Sequence, residues 1–136
     1  MKFNLILVAL LLLALPIGVS AQTNNIRIPF AFIASDTSFT SGEYTVSTVT
    51  GHLKLAPEGV NQGVYLPCNW NGTVKADGKT TLVFEKLGDT YVLREYRAGE
   101  KGTSLSVPLS KRHAAWAKGY YAKARQPEYV LISTEM

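Results

Sequence analysis

Cationic and aromatic side chains crowd one stretch of this chain, residues 111–125. There Lys111, Arg112, Lys118, Lys123 and Arg125 interleave with Trp116, Tyr120 and Tyr121, and no acidic residue intervenes. Cations at this density attract phosphate-like groups, and neighbouring rings can lie against exposed bases or acyl edges. Lys111, Arg112, Trp116, Lys118, Lys123 and Arg125 are therefore candidate contacts for an anionic surface or polymer. The competing reading is a helix that packs Trp116 and Tyr120 over an open end of a sheet and leaves its lysines in water, as most charge runs do. Ser110 is a good N-cap, and the Ala- and Lys-rich sequence after it predicts a helix. His113, Trp116, Ala117, Tyr120 and Ala124 fall on one stripe of that helix and Lys111, Lys118 and Arg125 on another. Gly119 is expected to end or kink it, at about 1 kcal/mol relative to alanine.

Other reactive side chains are few. His52 and His113 are the only histidines, and neither has a second ligand at a zinc-binding spacing, so no metal and no cofactor is expected. Cys68 is the single cysteine, which rules out an internal disulfide. Paired with His52 or His113 it could form a thiolate nucleophile, but it lies on an apparent strand with no helix N-terminus to lower its pKa. It runs in phase with Val64, Leu66 and Trp70, which predicts a small hydrophobe pointing into a core. No glycine-rich phosphate loop follows a strand and opens a helix. Paired carboxylates can be brought together by a fold without leaving a local motif; an open pocket with Glu43, Asp89 or Glu95 converging on it would make a hydrolytic site. Asn71-Gly72-Thr73 matches a glycosylation acceptor and reads as a turn.

The elements that must position these groups are short strands. Residues 79–97 form the clearest one, a hairpin in which Thr80 to Glu85 and Thr90 to Tyr96 flank a four-residue joint, Lys86 to Asp89, with Gly88 in the reversal. Leu82 and Phe84 share one face of it, as do Tyr91 and Leu93, while Val83, Val92 and Tyr96 take the opposite faces. Neither face is purely polar, so the sheet is expected to be covered in part on both sides. Upstream, Ile26, Ile28, Phe30 and Phe32 alternate around Pro29, which favours an edge or a bulge. A polar loop at Ser35 to Ser38 precedes strands at Glu43 to Val49, Leu53 to Leu55 and Val64 to Trp70. Asp77-Gly78 marks a further reversal, and Tyr129 to Ile132 reads as a final, largely buried strand. Turns recurring every ten or so residues predict a mainly β fold: an antiparallel sandwich or small barrel of about seven or eight strands with one short helix near the C-terminus.

Met1 to Asn4 carries one positive side chain, and Leu5 to Leu15 is unbroken apolar sequence. That run is too short for a membrane span, which takes about 20 residues. With Pro16 and the small-residue pattern Val19-Ser20-Ala21 it reads as a secretory signal, residues 1–21, cut after Ala21. Residues 22–136 would then be a single β-rich domain, exported to the periplasm or cell exterior, with no transmembrane segment. Without Lys2 that domain carries 13 Lys and Arg against 10 Asp and Glu, a net charge of 13 − 10 = +3, with the excess concentrated in residues 111–125.

Ile28-Pro29-Phe30 with Phe32, Gly42-Glu43-Tyr44-Thr45-Val46, and Leu82, Phe84, Gly88-Asp89, Tyr91 and Leu93 carry a resemblance across Ile26 to His113. The chain resembles a family of small exported β-rich proteins that are common in acidobacteria and have no assigned function. The resemblance implies export and a β fold and no particular activity. The chain departs from the family at Thr40-Ser41, where Pro-Ala is usual, and at Ser110-Lys111-Arg112-His113, where a glutamate normally completes the Ser-x-x-Glu capping box. The leading expectation is a non-enzymatic binding or scaffold domain that uses the mouth between its sheets, with its tyrosines, or the basic helix. The alternative is a small secreted hydrolase-like enzyme whose carboxylates assemble only in the fold. Export argues against a nucleic-acid partner.

Overall fold

The computed structural model describes residues 24–60, 62–123 and 126–134. The expected leader, residues 1–21, lies outside them, as do Ala124 and Arg125 of the basic segment. Eleven strands and one helix are described: β1 (Asn24–Ile28), β2 (Phe32–Ala34), β3 (Thr37–Phe39), β4 (Gly42–Val49), β5 (His52–Pro57), β6 (Val64–Pro67), β7 (Asn69–Thr73), β8 (Thr80–Leu87), β9 (Thr90–Ala98), β10 (Thr103–Ser106), α1 (Lys111–Tyr121) and β11 (Glu128–Ser133). The smaller sheet has the order β1-β4-β5-β6, and the larger runs β11-β8-β9-β10-β7 with β2 and β3 attached to β9. The fold is thus mainly β, two sheets packed as a sandwich or half-barrel, with one helix near the C-terminus. All pairings are antiparallel except β2 with β9, where Phe32 and Ile33 run parallel to Tyr91 and Val92.

Alternation within the strands makes the core. Ile26 and Ile28, Tyr44 and Val46, Leu53 and Leu55, and Leu66 from the smaller sheet meet Leu82, Phe84, Leu93 and Tyr96 from the larger one, all buried. Phe84 has no exposed surface. It meets Phe30 edge-on at 4.9 Å and Phe32 at 5.2 Å between ring centroids. Such pairs add to the burial of large apolar surface that drives the sheets together.

The hairpin lies where the sequence places it, with a tighter joint: Leu87 pairs with Thr90, so only Gly88 and Asp89 turn the chain, Gly88 at φ 63°. A bulge between Val83 and Phe84 sets two residues of β9 against one of β8 and reverses its alternation, so Tyr96 joins Leu93 in the core instead of opposing it. Four more differences account for the larger strand number. The expected first strand, Ile26 to Phe32, breaks after Ile28 at Pro29: Asn24–Ile28 pairs in the smaller sheet and Phe32–Ala34 in the larger. Residues 35–38 are not all loop: Ser35 at φ 56° turns β2 into β3. The run Val64 to Trp70 is two strands, because the chain passes from the smaller sheet to the larger at Cys68. Thr103–Ser106, left between elements by the sequence, is β10.

Asn71-Gly72-Thr73 is not a turn but part of β7, at the register shift opposite Ser104 and Leu105. β11 is a half-buried edge strand, with Tyr129 and Leu131 exposed and Val130 and Ile132 packed on the core. Gly119 does not end α1, which continues to Tyr121. No helix among the described residues is long and apolar enough to cross a membrane.

Candidate functional site

One apolar row crosses the larger sheet from core to solvent. Cross-strand register sets Leu82 beside Tyr96, Tyr96 beside Leu105 and Leu105 beside Trp70. Along that row exposure climbs from 0% at Leu82 and 6% at Tyr96 to 70% at Trp70. β7 is the edge strand of the larger sheet, so the indole at the end of the row lies at the sheet's margin and is largely exposed. The phase of Trp70 with Leu66 had predicted a core residue; passage between sheets at Cys68 leaves it at the mouth instead.

A cleft opens around this indole, at the end of the hairpin away from Gly88-Asp89. One lobe, about 490 Å³, is lined by Trp70, Tyr96 and Leu105 with Thr48, Thr80 and Thr103, and Glu100 and Lys101 stand at its rim. A second lobe of about 350 Å³ shares Thr48, Trp70 and Leu105 and reaches His52 and Cys68. Both volumes lie in the range of small-molecule sites, about 300–1,000 Å³. Burial raises the Tyr96 phenol, the Thr80 side chain partly offsetting it and the Glu100 charge adding to it, so Tyr96 stays a neutral hydrogen-bonding group. Gly99 holds the rim: an added Cβ would collide with Asp77 Oδ1 and the Lys79 carbonyl, and its N–H donates to that carbonyl at 2.8 Å.

The fold does bring Cys68 and His52 to one lobe. Burial nevertheless pushes the thiol above its ordinary value of 9.0, against a smaller lowering by a backbone hydrogen bond at Leu53, and the sulfur lies 3.5 Å from the Leu66 carbonyl. His52 Nδ1 lies 3.1 Å from the Thr50 carbonyl. Cys68 is therefore a protonated, half-buried thiol packed against the core, not an activated nucleophile.

The carboxylates the sequence nominated do not converge. Glu43 pairs with Arg27 at 3.6 Å on the smaller sheet, and Asp89 sits exposed in the hairpin turn. Glu95 alone lies in a concavity, on the outer face of the larger sheet, where Glu85, Arg94, Arg97 and Tyr129 line a groove of about 500 Å³. Sequence reading missed Glu85 as its companion, since strand alternation carries no signal for a carboxylate held against a distant tyrosine. Glu95 Oε1 accepts from Arg97 Nε at 2.9 Å and from Ser104 Oγ at 2.6 Å, and Asn71 Nδ2 donates to Ser104 Oγ at 3.3 Å. Burial alone would raise the Glu95 carboxyl; the bonds from Arg97 and Ser104 and the Arg97 charge outweigh it and hold it below the usual value. Glu85, 5% exposed, accepts from the Tyr121 hydroxyl. Burial, that bond and the Glu85 charge push the Tyr121 phenol well above its ordinary value, with Arg94 pulling weakly the other way. These groups tie β7, β10, β9, β8 and α1 together.

Helix α1 packs His113 and Ala117 inward and lays Tyr120 and Tyr121 against Leu87 and Val92. Ser110 caps it, accepting from the His113 N–H at 3.2 Å, and the His113 ring lies against the same hydroxyl, Nδ1 2.8 Å from Ser110 Oγ, without reaching the Ser110 backbone N–H that a glutamate would cap. Lys111, Arg112, Lys118 and Lys123 are exposed, as is Trp116 at 40%, which therefore lies at the margin of the packed stripe and not under it. Among the described residues none of these four cations forms a salt bridge. No cluster of three or more His, Cys, Asp or Glu that could hold a metal is present among the described residues.

No family model matches the chain, and neither a curated protein nor a solved structure matches it.

Proposed function

We propose that the chain is an exported, non-enzymatic binding domain of the periplasm or cell exterior, seated on its ligand at the Trp70 cleft. The reading is carried by one observation: a 70%-exposed indole standing between two lobes, at the end of an apolar row continuous with the core. The apolar side chains of Trp70, Leu105 and Ala98 stand in the first lobe among polar and charged ones, so it combines an aromatic surface with hydrogen-bonding groups that can orient a small molecule. General acid–base work asks for groups titrating near the working pH, whereas Glu95 is moved down and Tyr121 up, away from neutrality. The resemblance to small exported β-rich proteins and the signal-like residues 1–21 support export.

A melting-midpoint screen of the native and Trp70→Ala proteins against chemically diverse small molecules tests the binding role. A ligand present at about 100 times its Kd adds about 2.7 kcal/mol of stability, and that gain should vanish in Trp70→Ala. Hydrolytic turnover abolished by Glu85→Gln or Glu95→Gln would replace binding with the enzyme reading.

The basic helix supports a second contact. Lys111, Arg112, Trp116, Lys118 and Lys123 present an acid-free surface, with Arg125 following in sequence, suited to an anionic polymer or headgroup. Lys111 and Arg112 stand at the positive end of the helix dipole, where cations are disfavoured and acids are usual. Sedimentation with phosphatidylglycerol vesicles should occur at low salt, fade at high salt and be lost in Lys111→Glu/Arg112→Glu; pelleting unaffected by salt or by that double substitution would remove the helix from the proposal.

A further inference from the structure

The two lobes share Thr48, Trp70 and Leu105, so they adjoin at one indole. Trp70, Leu105 and Tyr96 line the first lobe beside side chains whose chemistry is hydroxyl and amide: Thr48, Thr103 and Asn24. The charged groups at its rim are Glu100 and Lys101, one of each sign, so the first lobe selects neither an anion nor a cation. An aromatic ligand would cover the apolar side chains and leave the hydroxyl and amide groups without partners, which costs binding free energy wherever those groups lose water. A sugar ring satisfies both parts. Its axial C–H groups form an apolar face that can lie on an indole, and its equatorial hydroxyls project outward to donors and acceptors around it.

We infer that the cleft binds a neutral oligosaccharide, with successive rings in the two lobes around Trp70. This deepens the proposed binding role and rests on the cleft being the ligand seat. Two adjoining lobes also mean that a single ring fills only part of the site. A monosaccharide should therefore bind more weakly than a chain.

The test uses the Trp116→Phe protein, in which Trp70 is the only indole. It is titrated with cellotetraose, maltotetraose and N-acetylchitotetraose, with glucose and N-acetylglucosamine as single rings, and with tetragalacturonate as a charged chain. Indole, an aromatic without a hydroxyl rim, is titrated by calorimetry. The expected result is a saturable change in Trp70 emission with at least one neutral tetrasaccharide, and weaker binding of its monosaccharide. Calorimetry of Trp70→Ala should show a loss of about tenfold or more in affinity. Its melting midpoint should stay near that of the native protein, since so exposed a side chain contributes little to the core. If indole or tetragalacturonate binds in a Trp70-dependent way and no neutral tetrasaccharide does, the cleft remains a binding site and the saccharide assignment is wrong. If none of these compounds perturbs Trp70, both fall. Tetrasaccharide binding that Trp70→Ala leaves intact places the sugar elsewhere and overturns the inference.

Discussion

Phe84 and Trp70 both sit on strands at apolar-phase positions, yet one is fully buried and the other 70% exposed. Phe84→Ala should leave a cavity and cost about 3–5 kcal/mol. Lys86→Ala on the same strand removes a lysine whose ammonium lies 5.9 Å over the Tyr91 ring, a contact worth about 0.5–1 kcal/mol. Chemical denaturation of the two variants should give well-separated midpoints; coincident midpoints would take Phe84 out of the core. Phe84 was legible because the hairpin supplies its own period and turn. Trp70 was not, because period tells which face a residue takes and not whether its strand is the edge of a sheet. Cys68 falls between: its phase is right, but its place at the passage between sheets leaves it half-buried at the second lobe. Iodoacetamide should modify it slowly at neutral pH, faster only at pH above the ordinary thiol value of 9.0, and more slowly again if a ligand occupies the cleft. Neutral-pH labelling as fast as in denaturant would contradict the packed, protonated thiol.

At the scale of elements, the helix start was written in Ser110 and its end was not. A helix that continues past a glycine does so when tertiary contacts hold the next turn, and here Tyr120 and Tyr121 pack on Leu87 and Val92. A Cβ added at Gly119 would meet nothing within 4 Å, so Gly119→Ala should stabilise the protein by about 0.5–1 kcal/mol. Lys111→Glu and Arg112→Glu should each add about 0.3–1 kcal/mol by suiting the helix dipole. Urea midpoints check all three. A destabilising Gly119→Ala would mean the helix does not run through that residue, and destabilising acids would mean the two cations hold the fold and not a partner. The strand count was underestimated for a related reason. The β2–β3 hairpin and β10 are short pieces whose stability comes from docking on β9, and three or four residues leave little periodic signal of their own.

Across the whole molecule, charge couples the outer face of the larger sheet to stability. The Glu95 carboxyl titrates below its unfolded value, so it stabilises the fold above that value, and the contribution is lost as pH falls through its lowered pKa. Native protein should therefore lose more stability than Glu95→Gln between neutral pH and about pH 3, the lower side of the normal carboxylate range. Denaturation midpoints across that interval that fall in parallel would contradict a carboxylate held ionised by Arg97 and Ser104. That network lies on one face of β7, β9 and β10, and the proposed ligand seat on the opposite face, where Tyr96, Leu105 and Trp70 line up. Calorimetric titration of the native, Trp70→Ala and Glu95→Gln proteins, with whichever compound most raises the native melting midpoint, separates the two faces. The expected result is a loss of about tenfold or more in affinity for Trp70→Ala with Glu95→Gln unchanged; weakened binding in Glu95→Gln with Trp70→Ala unchanged would move the site to the outer groove and contradict the cleft.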